Sequence, residues 1–79
     1  MNPRPKSVNA IEQYLLQIHF ENGEERIFDM KPYLHYPVYE NLSDENVFRE
    51  ARVEYGTVVW NDEIDMDPDR LYLESKRAE

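Results

Sequence analysis

Asp65, Asp67 and Asp69 stand at alternate positions, the spacing with which a calcium loop offers its first oxygen ligands. Counted from Asp65, the sixth position is Arg70, where the loop's sharp turn needs glycine. The twelfth is Lys76, where a bidentate glutamate belongs. An EF-hand is thereby excluded. A weaker divalent-cation site built from Asp62, Asp65 and Asp67 is the metal reading left open. The plainer reading has Asp67 capping a helix, Asp69 facing its dipole, and the rest solvating a turn. Acid–base chemistry would need two carboxyls in one cleft with separated pKa values. Seventeen acidic residues produce pairs by chance, and nothing in the sequence signals a cleft.

The other reactive types are as sparse. His19 falls on a strand beside Gln17, and His35 in an aromatic loop beside Tyr36; their spacing makes no zinc signature. Ser7, Ser43 and Ser75 lack the glycine context of a nucleophile elbow. Gly23 and Gly56 are the only glycines, so no glycine-rich phosphate loop can form. There is no cysteine, which removes disulfides, thiolate nucleophiles and thiolate-bound metals. No enzyme activity and no cofactor are expected.

Aromatic residues carry more information. Tyr33, Tyr36, Tyr39, Tyr55, Trp60 and Tyr72 are too many to be centrally buried in a domain of 79 residues. Aromatic side chains give large contact area with few torsions to freeze, which suits interfaces. Tyr33, Tyr36 and Tyr39 are therefore the candidate protein interface. The alternative function class is a small-ligand or divalent-metal-binding domain, with a pocket lined by Tyr33, His35, Tyr36 or Tyr39, or with the Asp62, Asp65 and Asp67 carboxylates converging. Trp60, closing a β-forming run, reads as core.

Nine Lys plus Arg against seventeen Asp plus Glu leave a formal charge of −8. An acidic surface repels phosphates, which disfavours direct nucleic-acid binding and anionic membranes. It steers toward a basic protein partner, or leaves the chain to pair with itself as a homodimer. With 41% hydrophobic and 13% aromatic residues, the chain is too apolar for a disordered acidic tail. No apolar run reaches the roughly 18 residues of a membrane span. Met1 to Lys6 is followed by polar residues rather than an apolar signal core. A cytoplasmic location is expected.

These residues need elements to position them. Residues 1–6, with two prolines and two cations, read as a flexible arm; 7–75 as one domain; 76–79 as a frayed end. A short strand near Val8 precedes a clear one over Tyr14 to Phe20. Asn22-Gly23 signals a two-residue hairpin into Glu24 to Met30, facing Ile18 with Ile27. Pro32 to His35 predicts a helical turn, followed by a loop packed over the core. Ser43 reads as the N-cap of a helix to about Ala51. Val53 to Trp60 is a second hairpin, or one strand broken at Tyr55-Gly56. Asp67-Pro68 opens a last helix. The class is α+β: a hairpin-rich, mostly antiparallel sheet packed with a middle helix and a C-terminal helix.

The order of landmarks resembles a known family. Phe20-Glu21-Asn22-Gly23-Glu24 leads into Arg26-Ile27-Phe28-Asp29-Met30 and Lys31-Pro32-Tyr33-Leu34, then Pro37-Val38-Tyr39, Leu42-Ser43-Asp44 and Phe48. Gly56-Thr57-Val58-Val59-Trp60, Ile64-Asp65-Met66-Asp67-Pro68 and Leu71-Tyr72 close the pattern. This is similar to the small bacterial family numbered 2442 among the domains of unknown function, over roughly Val8 to Tyr72. The resemblance implies a small α+β domain with no established activity. Some members sit beside a second short gene in an arrangement like a toxin–antitoxin pair, which implies an antitoxin-like role with a basic partner. Longer relatives carry a helix-turn-helix domain, for which these residues hold no pattern. Where the family often has Pro-Asn-Gly after its Trp, this chain has Asn61-Asp62-Glu63, a more acidic turn.

Overall fold

The computed structural model of the chain describes residues 1–61 and 64–78. Strands β1 (Pro5–Ile11), β2 (Leu15–Phe20) and β3 (Glu25–Asp29) come first. Two 3₁₀ turns, Lys31–Tyr33 and Pro37–Ser43, lead to α1 (Glu45–Phe48). Then follow β4 (Arg52–Glu54), β5 (Thr57–Asn61), β6 (Ile64–Asp65), α2 (Pro68–Leu73) and β7 (Lys76–Arg77). They form two antiparallel sheets, ordered β1-β2-β3-β7 and β4-β5-β6, so the expected α+β class holds.

Alternation along β2 turns Leu16, Ile18 and Phe20 inward, where Phe28 and Met30 join them. Val58, Trp60 and Ile64 enter from the second sheet, and Leu42, Phe48, Met66 and Leu71 from the segments between. The expected pairing of Ile18 with Ile27 is off by one. Ile18 lies opposite Arg26, and Leu16 opposite Phe28. The loop is the reason. The Gly23 amide donates to the Phe20 carbonyl at 3.0 Å, and the Phe20 amide to the Glu24 carbonyl at 2.8 Å. Gly23 takes the left-handed conformation at φ +92°. A turn closed by a left-handed glycine uses three loop residues instead of two. The added residue exchanges faces, which sends Phe28 into the core and Ile27 out.

Both chain ends are more ordered than their composition suggests. Pro5 pairs with Phe20, and the Glu21 amide donates to the Arg4 carbonyl at 2.9 Å. Proline is tolerated because β1 is an edge strand with no further ladder to feed. At the other end Lys76 pairs with Ile27 and Arg77 with Arg26, and the Ala78 amide donates to the Glu25 carbonyl at 3.0 Å. The expected arm over residues 1–6 and the fraying from residue 76 therefore give way to paired backbone at Pro5 and at Lys76–Arg77. Tyr14, expected in β2, lies instead in the preceding turn, where Gln13 and Tyr14 both have left-handed φ.

The middle helix is one turn long and begins a residue late. Asp44, not Ser43, is its cap: Oδ1 accepts from the Asn46 amide at 2.9 Å. Asn46 and Val47 are weak helix formers. Past Phe48 the chain tightens into turns that deliver it to β4. The Trp60 indole donates to the Phe48 carbonyl at 3.0 Å and helps end the helix. The last helix follows its sequence: Asp67 Oδ1 accepts from the Asp69 amide at 3.0 Å, with Pro68 at the first helical position.

Tyr55-Gly56 is a two-residue hairpin turn, with Glu54 opposite Thr57 and both turn residues at positive φ, 55° and 74°. Such a turn favours Asn-Gly. Left-handed φ costs a side chain with a Cβ about 1–2 kcal/mol, and asparagine tolerates it better. Tyr55 is 93% exposed, so its ring packs on little that would compensate. Tyr55→Asn is expected to stabilise the domain by about 1 kcal/mol, a rise of about 4–8 °C in Tm. An unchanged or lower melting temperature by differential scanning calorimetry would contradict this account of the turn.

Candidate functional site

Pro32 and Pro37 each open a 3₁₀ turn. The Tyr33 amide donates to Met30, the Tyr36 amide to Tyr33, and the Tyr39 amide to Tyr36, at 2.9, 3.1 and 2.9 Å. The two 3₁₀ turns are separate, and Tyr36 is extended between them at ψ 136°, so the tyrosines are gathered by ring contacts on Tyr33 and not by one continuous helical face.

Tyr33 is the hub. It stacks on core Phe28 at 5.5 Å between centroids, with Tyr36 at 6.1 Å and Tyr39 edge-on at 6.4 Å. Its hydroxyl hydrogen-bonds the Glu74 carboxylate, and the Arg70 guanidinium lies 5.8 Å from its ring centre. The His35 ring packs 4.3 Å from Tyr36. Tyr33 and Tyr39 are half-buried, whereas Tyr36 is 46% and Val38 59% exposed. Tyr33 and Tyr39 thus pack against the core, while Tyr36 leans on Tyr33 and faces water.

Carboxylates dominate its rim. The Tyr39 hydroxyl stands 3.5 Å from the Asp65 carbonyl oxygen, the long limit of a hydrogen bond. Burial pushes the Tyr39 phenol above its ordinary value, and the charges of Asp65 and Asp67 push it further against the opposing pull of Arg70. Glu74 holds Tyr33, and exposed Glu40 follows Tyr39 in the chain. Arg70 is the cation here, and its Nε lies 3.4 Å from Glu74.

The remaining candidates are dispersed. His19 Nε2 lies 3.2 Å from Glu25 on the outer face of the first sheet, and Gln17 donates to the same carboxylate at 2.8 Å. Ser75 Oγ donates to the Tyr72 carbonyl at 2.9 Å. Asp67 caps α2 and Asp65 is exposed on β6; Asp62, the third of the suggested metal ligands, lies outside the described residues. Among the described residues no group of three or more His, Asp or Glu is placed to hold a metal ion.

Surface hollows lie elsewhere on the described residues. A wide one of about 620 Å³ borders Ile11, Gln13 and Arg49. A narrower one of about 310 Å³ lies between Arg52, Tyr55, Val59 and Asp65. Neither is lined by Tyr33, His35, Tyr36 or Tyr39. Among the described residues no helix is long and apolar enough to cross a membrane.

No curated protein and no solved structure matches the chain. One family model matches residues 5–77, from the first residue of β1 to the last of β7. The chain belongs to the family described as Protein of unknown function (DUF2442).

Proposed function

We propose that this domain is a non-catalytic protein-binding module that holds a basic partner through Tyr33, Tyr36 and Tyr39. The observation that carries the reading is the aromatic patch itself: three rings locked together on the core, with Tyr36 and Val38 exposed at their crest. Rigid aromatic surface loses little entropy on binding and provides anchoring contacts. The acidic rim and the charge of −8 add steering toward cationic surfaces. In its most concrete form the domain is antitoxin-like, acts in the cytoplasm, and masks a basic protein encoded beside it.

The test is co-purification from the native host at native expression, with light scattering on the isolated chain. A stoichiometric basic partner is expected, and Tyr36→Ala combined with Val38→Ser is expected to release it while leaving the melting temperature within a few degrees. Both side chains stand at the exposed crest, which is why the fold should tolerate the change. A homodimer in light scattering that the same double substitution splits would move the patch's role to self-association. A partner retained by the double variant would refute the patch as its docking surface.

A further inference from the structure

We infer that the hollow on the outer face of the β4-β5-β6 sheet is a socket for one lysine or arginine side chain of a basic protein. The inference rests on the partner being basic, as proposed above, but uses different residues. Register places Arg52, Val59 and Asp65 in one row across the three strands. Val58 and Trp60, on either side of Val59, point the opposite way into the core. Val59, covered to 8% exposure, gives the hollow an apolar floor, and the core residue Ile64 borders it. The space of about 310 Å³ admits a single long side chain and is small for a folded element.

The walls match that occupant. At one side stands Asp65, whose carboxylate makes no ion pair among the described residues. At the other, the Arg52 guanidinium is ion-paired with Glu54 and donates to the Trp60 carbonyl at 2.9 Å, so its charge is balanced and its position fixed. Tyr55 overhangs from the hairpin turn with its ring open to water. A cationic side chain can lay its aliphatic stem on Val59 and Ile64, bring its head to Asp65, and receive the face of the Tyr55 ring. An anionic side chain would meet Asp65 and Glu54 instead. Asp65 also connects the hollow to the patch, because its backbone carbonyl faces Tyr39 while its side chain lines the hollow. One basic segment can therefore engage both places.

The probe is a tetralysine peptide titrated into the ¹⁵N-labelled domain, with the peptide acetylated on every side chain as the neutral control. Saturable amide shifts are expected at Tyr55, Val59, Asn61 and Asp65, and none with the acetylated peptide. Asp65→Asn is expected to weaken binding about tenfold. Tyr55→Gly, which suits the left-handed turn and keeps the fold, is expected to weaken it about threefold to tenfold. Shifts that spread over the acidic surface without saturating, or that persist unchanged in Asp65→Asn, would overturn the socket. Tyr36→Ala separates the two readings. If tetralysine still fills the hollow in that variant while the cellular partner stays bound, the patch reading fails and the socket stands. If the partner is lost and the hollow stays silent, the reverse holds.

Discussion

Trp60→Ala is expected to remove a large share of the domain's stability. The side chain has 0% exposure and ties the second sheet to α1. Truncating a buried tryptophan costs about 3–5 kcal/mol. A domain of this length is expected to hold only about 4–12 kcal/mol in total, by the usual stability per residue. Trp60→Phe separates packing from hydrogen bonding. It keeps an aromatic ring near Phe48, whose centroid is 6.3 Å away, but removes the donor that the Phe48 carbonyl accepts at 3.0 Å. That carbonyl retains a longer bond from the Ala51 amide at 3.3 Å. A loss of about 1–3 kcal/mol is therefore expected for Trp60→Phe, clearly less than for alanine. Urea denaturation followed by far-UV circular dichroism measures both. A phenylalanine variant as stable as the wild type would show that the indole hydrogen bond contributes nothing net.

Arg26→Met is the second large effect. Arg26 occupies the inward-pointing register position opposite Ile18, where an aliphatic residue would be the ordinary choice. Its Nε lies 2.7 Å from Glu24 Oε2, its Nη1 donates to the Ser75 carbonyl at 3.1 Å, and its guanidinium stacks 4.2 Å over the Tyr72 ring. Tyr72 donates to the other oxygen of Glu24 at 3.1 Å and meets Phe20 edge-on at 5.1 Å. The group clamps α2 and β7 to β3. Methionine fills similar space but loses the charged hydrogen bonds and the stacking, an expected cost of about 2–3 kcal/mol. Amide hydrogen exchange should show the loss first at Ala78 and Ile27. Uniform exchange across the domain would refute the clamp.

The clamp also predicts a pH dependence with a definite sign. The Arg26 hydrogen bond holds the Glu24 carboxyl below its ordinary 4.5, aided by the Tyr72 hydrogen bond and the charges of Arg26 and Arg77, with burial opposing. A group depressed in the folded state stabilises above its unfolded value and loses that contribution as pH falls through its folded value. The melting-temperature gap between wild type and Glu24→Gln should therefore be full near neutrality and close below pH 4.5. A gap that is constant through that range would exclude Glu24 as the source.

Elements whose signals are local were legible in the sequence. Asn22-Gly23 marked the first hairpin, Asp67-Pro68 the start of α2, and the β-branched run before Trp60 a buried strand. What failed depended on contacts between distant segments. The register shifted because Gly23 alone takes the left-handed position and the loop grows by one residue. The middle helix ended early as the chain turned toward β4, with an indole twelve residues away taking up the Phe48 carbonyl. Pro5 and Lys76–Arg77 became strands because β2 and β3 offered edges that composition does not announce. The type of the three tyrosines is legible in the sequence, but their convergence depends on the extended link at Tyr36 between two 3₁₀ turns and on the seat that Phe28 gives Tyr33.

The sheet order β1-β2-β3-β7 has a consequence for the order of assembly. Every other strand pairing joins chain neighbours, so each hairpin can close over a short loop and at low entropic cost. The β3–β7 pairing joins Arg26 to Arg77 and must wait for the whole intervening chain. During synthesis the outer edge of β3 at Arg26 and Ile27 stays bare until residues 76–77 have left the ribosome. The nascent chain is therefore most exposed to edge-to-edge pairing with a neighbouring chain in that interval. The charges of Glu24, Glu25, Arg26 and Asp29 on and beside that edge are the feature that guards it.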